Sequence, residues 1–137
     1  MKRRSVESHK NRPGERSKRT VVVLGASDKP ERYSNRAVRL LKEDGYRVIP
    51  VHPSLQTVEG FDVRHRLAEI QEPVDTLTVY LSPVHSAPMT GELVRMRPGR
   101  VILNPGTESD QLEAGLGDAG IPCIKACTLV MLSTGRF

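Results

Sequence analysis

The sequence predicts an α/β domain built on an open parallel sheet of about five strands, with helices on both faces. Three observations carry that reading. Val21-Val22-Val23-Leu24 is apolar at every position, as a strand buried on both faces requires. Strand-like apolar runs alternate along the chain with stretches whose apolar residues recur at helical spacing. Glycines at 45, 99 and 120 fall where three helices have to stop.

The elements follow in order. The first strand runs from Thr20 to Leu24 and is closed by Gly25. Ser34 suits the N-cap of the first helix, and Ala37, Val38, Leu40 and Leu41 form its apolar stripe. Gly45 stops that helix, and Tyr46 to Val51 reads as the second strand. Its Pro50 cannot donate to a central ladder, which places the strand at an edge or places Pro50 at its end. Gly60 to Val63 is a short extended piece, and Leu67, Ala68 and Ile70 suggest a short helix closed by Pro73. Val74 to Leu81 is the third strand, ended by Ser82-Pro83. A helix from about Ala87 to Arg95 tolerates Pro88 in its first turn, and Gly99 breaks it. Val101-Ile102-Leu103 is the fourth strand, and Asn104-Pro105-Gly106 is a sharp turn. Thr107 caps the next helix, and Asp110 lies in its first turn, where the dipole favours an acid. Leu112 and Leu116 share one face of it, Gly120 stops it, and Ile121 to Lys125 is the fifth strand. The last residues form a short helix or a tail. Right-handed crossovers make this a Rossmann-like sheet.

The net charge of +5 is unevenly distributed. Residues 1–19 hold eight Lys or Arg against two acids, whereas residues 20–137 hold 13 bases against 14 acids. The first segment has Val6 as its one aliphatic side chain and carries Pro13-Gly14, too little apolar surface to offset ordering entropy. It reads as a disordered basic tail (1–19) ahead of one folded domain (20–137). Weak, salt-dependent attraction of the tail to nucleic acid is an alternative role. The near-neutral domain argues against nucleic acid as the main partner. No run approaches the ~20 apolar residues of a membrane helix, and no secretory signal opens the chain, so a cytoplasmic location is expected. Cys123 and Cys127 lack the CxxC spacing of metal or redox sites and read as small buried or half-buried hydrophobes.

Ligands of open parallel sheets bind beyond the carboxyl ends of the strands. The first strand delivers Gly25-Ala26-Ser27-Asp28-Lys29-Pro30-Glu31-Arg32-Tyr33-Ser34 to that end. Gly25 permits a tight turn, and the amides around Ala26 and Ser27 and at the start of the helix can point at an anion. The hydroxyls of Ser27 and Ser34 and the charges of Lys29 and Arg32 complete a set suited to a diphosphate. A plain loop with a capping serine is the competing reading. The dinucleotide pattern GxGxxG is missing, since no other glycine falls between Gly25 and Gly45. The second strand ends in Pro50-Val51-His52-Pro53 without the acid that holds a nicotinamide cofactor's ribose; the first acid beyond is Glu59. These two misses argue against a dehydrogenase. GxSxG, HExxH and a Walker lysine are also missing. His52 and His85 fall at strand ends or loops where either can reach the ligand end. Ser82-Pro83 can wall a groove, and the amide of Asn104 can orient a polar ligand, although that turn is also sufficient on structural grounds.

These residues resemble the small bacterial CoA-binding domain family, related to the N-terminal CoA-binding domain of the succinyl-CoA synthetase α subunit. The resemblance covers about residues 20–130. It rests on a G-A-S-x-x-P-x-R-x-S pattern at Gly25, Ala26, Ser27, Pro30, Arg32 and Ser34. A second pattern, G-Y-x-V-x-P-V-x-P, falls at Gly45, Tyr46, Val48, Pro50, Val51 and Pro53. Val74-Asp75 matches a V-D before the third strand, and Asn104-Pro105-Gly106 stands where the family commonly has Gln-x-Gly. Ile102 replaces a frequent Trp, His52 replaces a frequent Asn, and Cys127 continues into Thr128-Leu129-Val130 rather than acids. The resemblance implies a Rossmann-like fold that binds coenzyme A or an acyl-CoA, without an established reaction. Ser27, Arg32 and Ser34 would then hold phosphates, His52 and Pro53 would border the adenosine, and Ser82 and the turn Asn104–Gly106 would line the opposite wall. CoA-thioester or thiol-exchange chemistry through Cys127 is the enzymatic alternative. A homodimer is compatible with so small a sheet.

Overall fold

The computed structural model describes residues 13–137. Five parallel strands form one sheet: β1 (Thr20–Leu24), β2 (Arg47–Val51), β5 (Thr76–Val79), β6 (Arg100–Leu103) and β7 (Cys123–Lys125). Their spatial order is β2-β1-β5-β6-β7. β1 pairs on both sides and is buried along its whole length, the environment its apolar run demands. The side chains of β1 divide between two cores. Val22 and Leu24 join one with Leu93, Leu112 and Leu116, and Val21 and Val23 join the other with Val38 and Leu41. The first core is covered by α4 (Thr90–Met96) and α5 (Asp110–Asp118), the second by α2 (Tyr33–Glu43) and α6 (Thr128–Ser133). Helices therefore cover both faces, as the alternation of periods predicts.

Pro50 is tolerated because β2 lies at the edge of the five-stranded sheet. A parallel bridge between Val51 and Arg64 extends that edge: Arg64 N donates to Pro50 O (3.0 Å) and His52 N to Arg64 O (3.1 Å). The bridge occupies the place of a third strand in the doubly wound order 3-2-1-4-5-6. The extended piece expected over Gly60–Val63 is instead half of a hairpin, β3 (Thr57–Val58) against β4 (Phe61–Asp62). Its two turn residues, Glu59 and Gly60, both take positive φ (50° and 85°), as a two-residue hairpin turn of this hand requires.

Several boundaries differ from the sequence reading. Residues 13–19, assigned to the disordered tail, carry structure: Pro13–Arg16 form the helical turn α1, and Arg19 pairs with Asp75 at 2.8 Å. The rest of that expectation lies outside the described residues. Three partly buried contacts hold the segment: Arg16 and Arg19 over the Tyr46 ring, and Arg19 over Phe137. The short helix expected near Leu67 is a 3-10 turn, Leu67–Glu69. The helix expected from Ala87 begins at Pro83, where α3 (Pro83–Ser86) leads through a 3-10 turn holding Pro88 into α4. That helix stops on Arg97, which takes the left-handed conformation itself. Gly99 is required for a different reason, since a Cβ there would stand 2.7 Å from Asp75 O. Among the described residues no helix is long and apolar enough to cross a membrane.

Candidate functional site

The strand order reverses between β1 and β5, and a groove of about 990 Å³ opens there, beyond the carboxyl ends of the strands. Its size suits a nucleotide-containing ligand. Of the eleven residues predicted for the site, Gly25, Ala26, Ser27, Arg32, Ser34, His52, Pro53, Ser82 and Gly106 line it. Pro30 and Asn104 do not.

Gly25 closes β1 with φ +91°, and a Cβ at this position would lie 2.9 Å from the Leu81 side chain and 3.1 Å from the Tyr80 carbonyl carbon. The turn is tight because two amides reach back across the sheet: Gly25 N and Ala26 N both donate to Val51 O (3.2 and 3.0 Å). The expectation that the Ala26 amide points at an anion is therefore overturned. The open donors begin one residue later. Ser27 N and Asp28 N have no partner among the described residues. The first-turn amides of α2 add to them, as every helix start leaves such donors.

The starts of α2 and α5 differ. Ser109, not the predicted Thr107, caps α5 by accepting from Leu112 N. Thr107 instead donates its hydroxyl to Asn104 O. At α2 the N-cap is Arg32, not Ser34, and no side chain caps the helix. Ser34 lies inside the first turn, buried against the groove wall. The start of α2 thus keeps its dipole and its donors for a ligand. Lys29 and Arg32 are exposed beside it and enter no ion pair among the described residues. Ser27 Oγ accepts from Lys29 N (3.1 Å), and Asn35 Nδ2 donates to Ser27 O (2.9 Å), which fixes the loop.

Asn104 is engaged inside the fold. Its Nδ2 donates to Thr78 Oγ1 (2.7 Å) and Val79 O (2.8 Å), and its Oδ1 accepts from Thr128 N (2.8 Å). Thr78 and Thr128 share a further bond at 2.8 Å. All three residues are buried. The amide therefore ties β5, the β6 turn and α6 together and is not available to orient a ligand. Pro30 is exposed, and its carbonyl accepts from Arg39 Nη2 (2.7 Å).

The β2 end of the groove holds two imidazoles. His52 Nδ1 accepts from Ser54 N (3.0 Å) and Leu55 N (3.1 Å). His65, which the sequence reading missed, donates Nε2–H to Leu55 O (3.0 Å). No local signal marks His65; the Val51–Arg64 bridge brings it in. The far wall carries Tyr80, Leu81, Met89 and His85, the last paired through Nδ1 with Ser82 Oγ (3.1 Å). The Tyr80 hydroxyl is buried beside Thr128 and Thr78, and burial pushes its pKa up to about 12. Cys127 is half-buried at the N-cap of α6, outside the groove lining. Cys123 is also half-buried, and burial, then the Glu113 carboxylate, pushes its thiol up. No cluster of three metal-ligating side chains occurs among the described residues.

The strand order and the helices on both faces define a Rossmann-like α/β domain. Residues 19–133 match the CoA binding domain family, and the chain belongs to it. An uncharacterized protein of known crystal structure is similar over 87% of this chain and 98% of its own, at 38% identity and TM-score 0.81. A structure from Thermus thermophilus is similar at 35% identity and TM-score 0.80, over 87% of this chain and 90% of that one. The uncharacterized protein YneT of Bacillus subtilis is 36% identical over 66 residues, 48% of each chain. That alignment thus spans about half the length of this curated relative.

Proposed function

We propose that the chain binds coenzyme A or an acyl-CoA in this groove and catalyses no reaction of its own. One observation carries the reading: the uncapped start of α2 lies beside the amides of Ser27 and Asp28 and the cations Lys29 and Arg32, none of which has a partner among the described residues. Such a set favours a diphosphate by hydrogen bonding and by charge. In this reading Ser27, Arg32 and Ser34 hold the diphosphate, Gly25 and the buried methyl of Ala26 shape the turn beneath it, and His52 and Pro53 border the adenosine. Ser82 and Gly106 flank the opposite wall, where Leu81 and Met89 offer apolar surface to the pantetheine arm. Pro30 and Asn104 act from outside the groove, holding Arg39 and the α6 junction. Membership of the CoA binding domain family supports the ligand class.

The reading without catalysis draws on the position of Cys127, which would have to reach the ligand in a thiol-exchange enzyme and is not part of the lining. Calorimetry with CoA and acetyl-CoA tests the proposal. Saturable binding of at least one, with a rise in melting temperature, is expected. Failure of both at millimolar concentration would overturn it.

A further inference from the structure

We infer that the β3–β4 hairpin clamps the diphosphate loop in its binding conformation, with Glu59 and Asn35 as positioning residues. This rests on the proposed binding of CoA in the groove and names what sets its affinity from outside the lining, to which neither residue belongs. Asn35 is fully buried within α2. Its Nδ2 donates to Ser27 O (2.9 Å) and to Glu59 Oε2 (3.2 Å), and its Oδ1 accepts from Arg39 Nε (2.8 Å). Arg39 Nη2 donates in turn to Pro30 O (2.7 Å). One amide therefore holds the loop at two carbonyls, Ser27 O directly and Pro30 O through Arg39. The consequence for the open donors follows from peptide geometry. Ser27 O and Asp28 N belong to one planar trans unit, in which C=O and N–H point in opposite directions. Tying the carbonyl to Asn35 aims the Asp28 N–H away from α2.

Glu59 is the far anchor. It sits in the hairpin turn at φ +50°, where a non-glycine residue is uncommon and Asn or Gly is the usual choice. The residue kept there has a side chain long enough to reach Asn35, and Lys42 Nζ donates to its carbonyl (2.8 Å). The hairpin lies in sequence between Leu55 and His65, both of which line the groove. It thus joins the β2 end of the site to the diphosphate loop. By charge alone a carboxylate behind an anion site opposes binding, so its contribution comes from the order it imposes on the loop.

The test is calorimetric titration of CoA into the wild-type chain and the variants Glu59→Asn and Glu59→Gln. Glu59→Asn gives the turn its preferred Asn-Gly sequence but withdraws the acceptor from Asn35 by one methylene. Its melting temperature should equal or exceed that of wild type, while CoA binds about fivefold more weakly, the equivalent of one hydrogen bond. Charge alone predicts the opposite sign, because the variant removes an anion. Glu59→Gln keeps an acceptor at the same reach and should bind CoA within about twofold of wild type. In the free chain, the amide order parameters of Ser27 and Asp28 should fall in Glu59→Asn and hold in Glu59→Gln. Unchanged affinity or unchanged order parameters in Glu59→Asn would overturn the clamp while leaving the CoA reading intact. So would equal losses in both variants, or a loss of affinity that comes with a lower melting temperature. Failure of CoA to bind wild type would instead overturn the CoA reading, and the clamp with it.

Discussion

The two ends of the sheet treat charge in opposite ways. At the amino ends of the strands, Arg19 pairs with Asp75 at 2.8 Å, Thr76 also donates to Asp75, and Arg100 donates to Thr76 Oγ1 and to Phe137 O. Arg19 and Arg100 lie over the Phe137 ring, which meets Tyr46 edge-on. Burial, then the neighbouring Arg19, pulls the Arg100 guanidinium below its ordinary value. At the carboxyl ends, Lys29 and Arg32 have no acidic partner among the described residues, and helix α2 begins without a cap. One end spends its polar groups on itself; the other keeps them for something else. An arginine is thus not a functional signal until its partners are known.

That contrast can be broken by substitution. The largest effect is expected for Asn104→Ala, which stands at the open end yet belongs to the closed kind. It removes three buried hydrogen bonds and leaves Thr128 N unpaired, and the expected loss is about 3 kcal/mol of stability in urea unfolding. A loss below about 1 kcal/mol would show that the amide is not engaged as described. Arg19→Ala comes next. It strands a half-buried carboxylate and should cost about 2 kcal/mol while leaving CoA affinity unchanged. Arg32→Ala should do the reverse: stability within about 0.5 kcal/mol of wild type, with CoA binding weakened at least about tenfold in calorimetry. If both arginines moved the same quantity, the contrast between the ends would fail.

The smallest effect is in acid. Although burial opposes it, the hydrogen bonds from Arg19 and Thr76 hold the Asp75 carboxyl below its ordinary range. A depressed carboxylate pKa contributes stability above the unfolded value, about 3.9, and that contribution is lost as pH falls through the folded value. Glu72 acts the same way: hydrogen bonding to Arg64 lowers it to about 2, though both partners are partly exposed and the contribution is small. Stability measured between pH 5 and 2 should therefore fall less steeply in Asp75→Asn than in wild type. An unchanged slope would mean that the pair contributes nothing.

The sheet was legible because its signals are local. Val21–Leu24 declares a central strand by composition, and Pro50, by the donor it lacks, narrows its strand to an edge or its own place to a strand end, of which the edge is observed. The β1 end of the groove lining was legible for the same reason, since it comes from one continuous segment, Gly25 to Ser34, of which all but Pro30 and Glu31 line the groove. What escaped depends on register and distance. Capture of the Ala26 amide follows from where Val51 falls in the parallel ladder. The role of Asn104 depends on Thr78 and Thr128, each more than twenty residues away. His65 arrives through a single long-range bridge, and Arg19 finds Asp75 across 56 positions. Ser34 and Thr107 are good caps by type, yet both lie beside better geometric solutions, an extended Arg32 and Ser109.

The most direct measurement is an amide-resolved NMR titration of the chain with CoA. The account predicts the largest shifts at the amides of Ser27, Asp28, Tyr33 and Ser34, with Gly25 and Ala26, already bonded to Val51 O, moving less. Saturable binding that left Ser27, Asp28 and the start of α2 unmoved would contradict it.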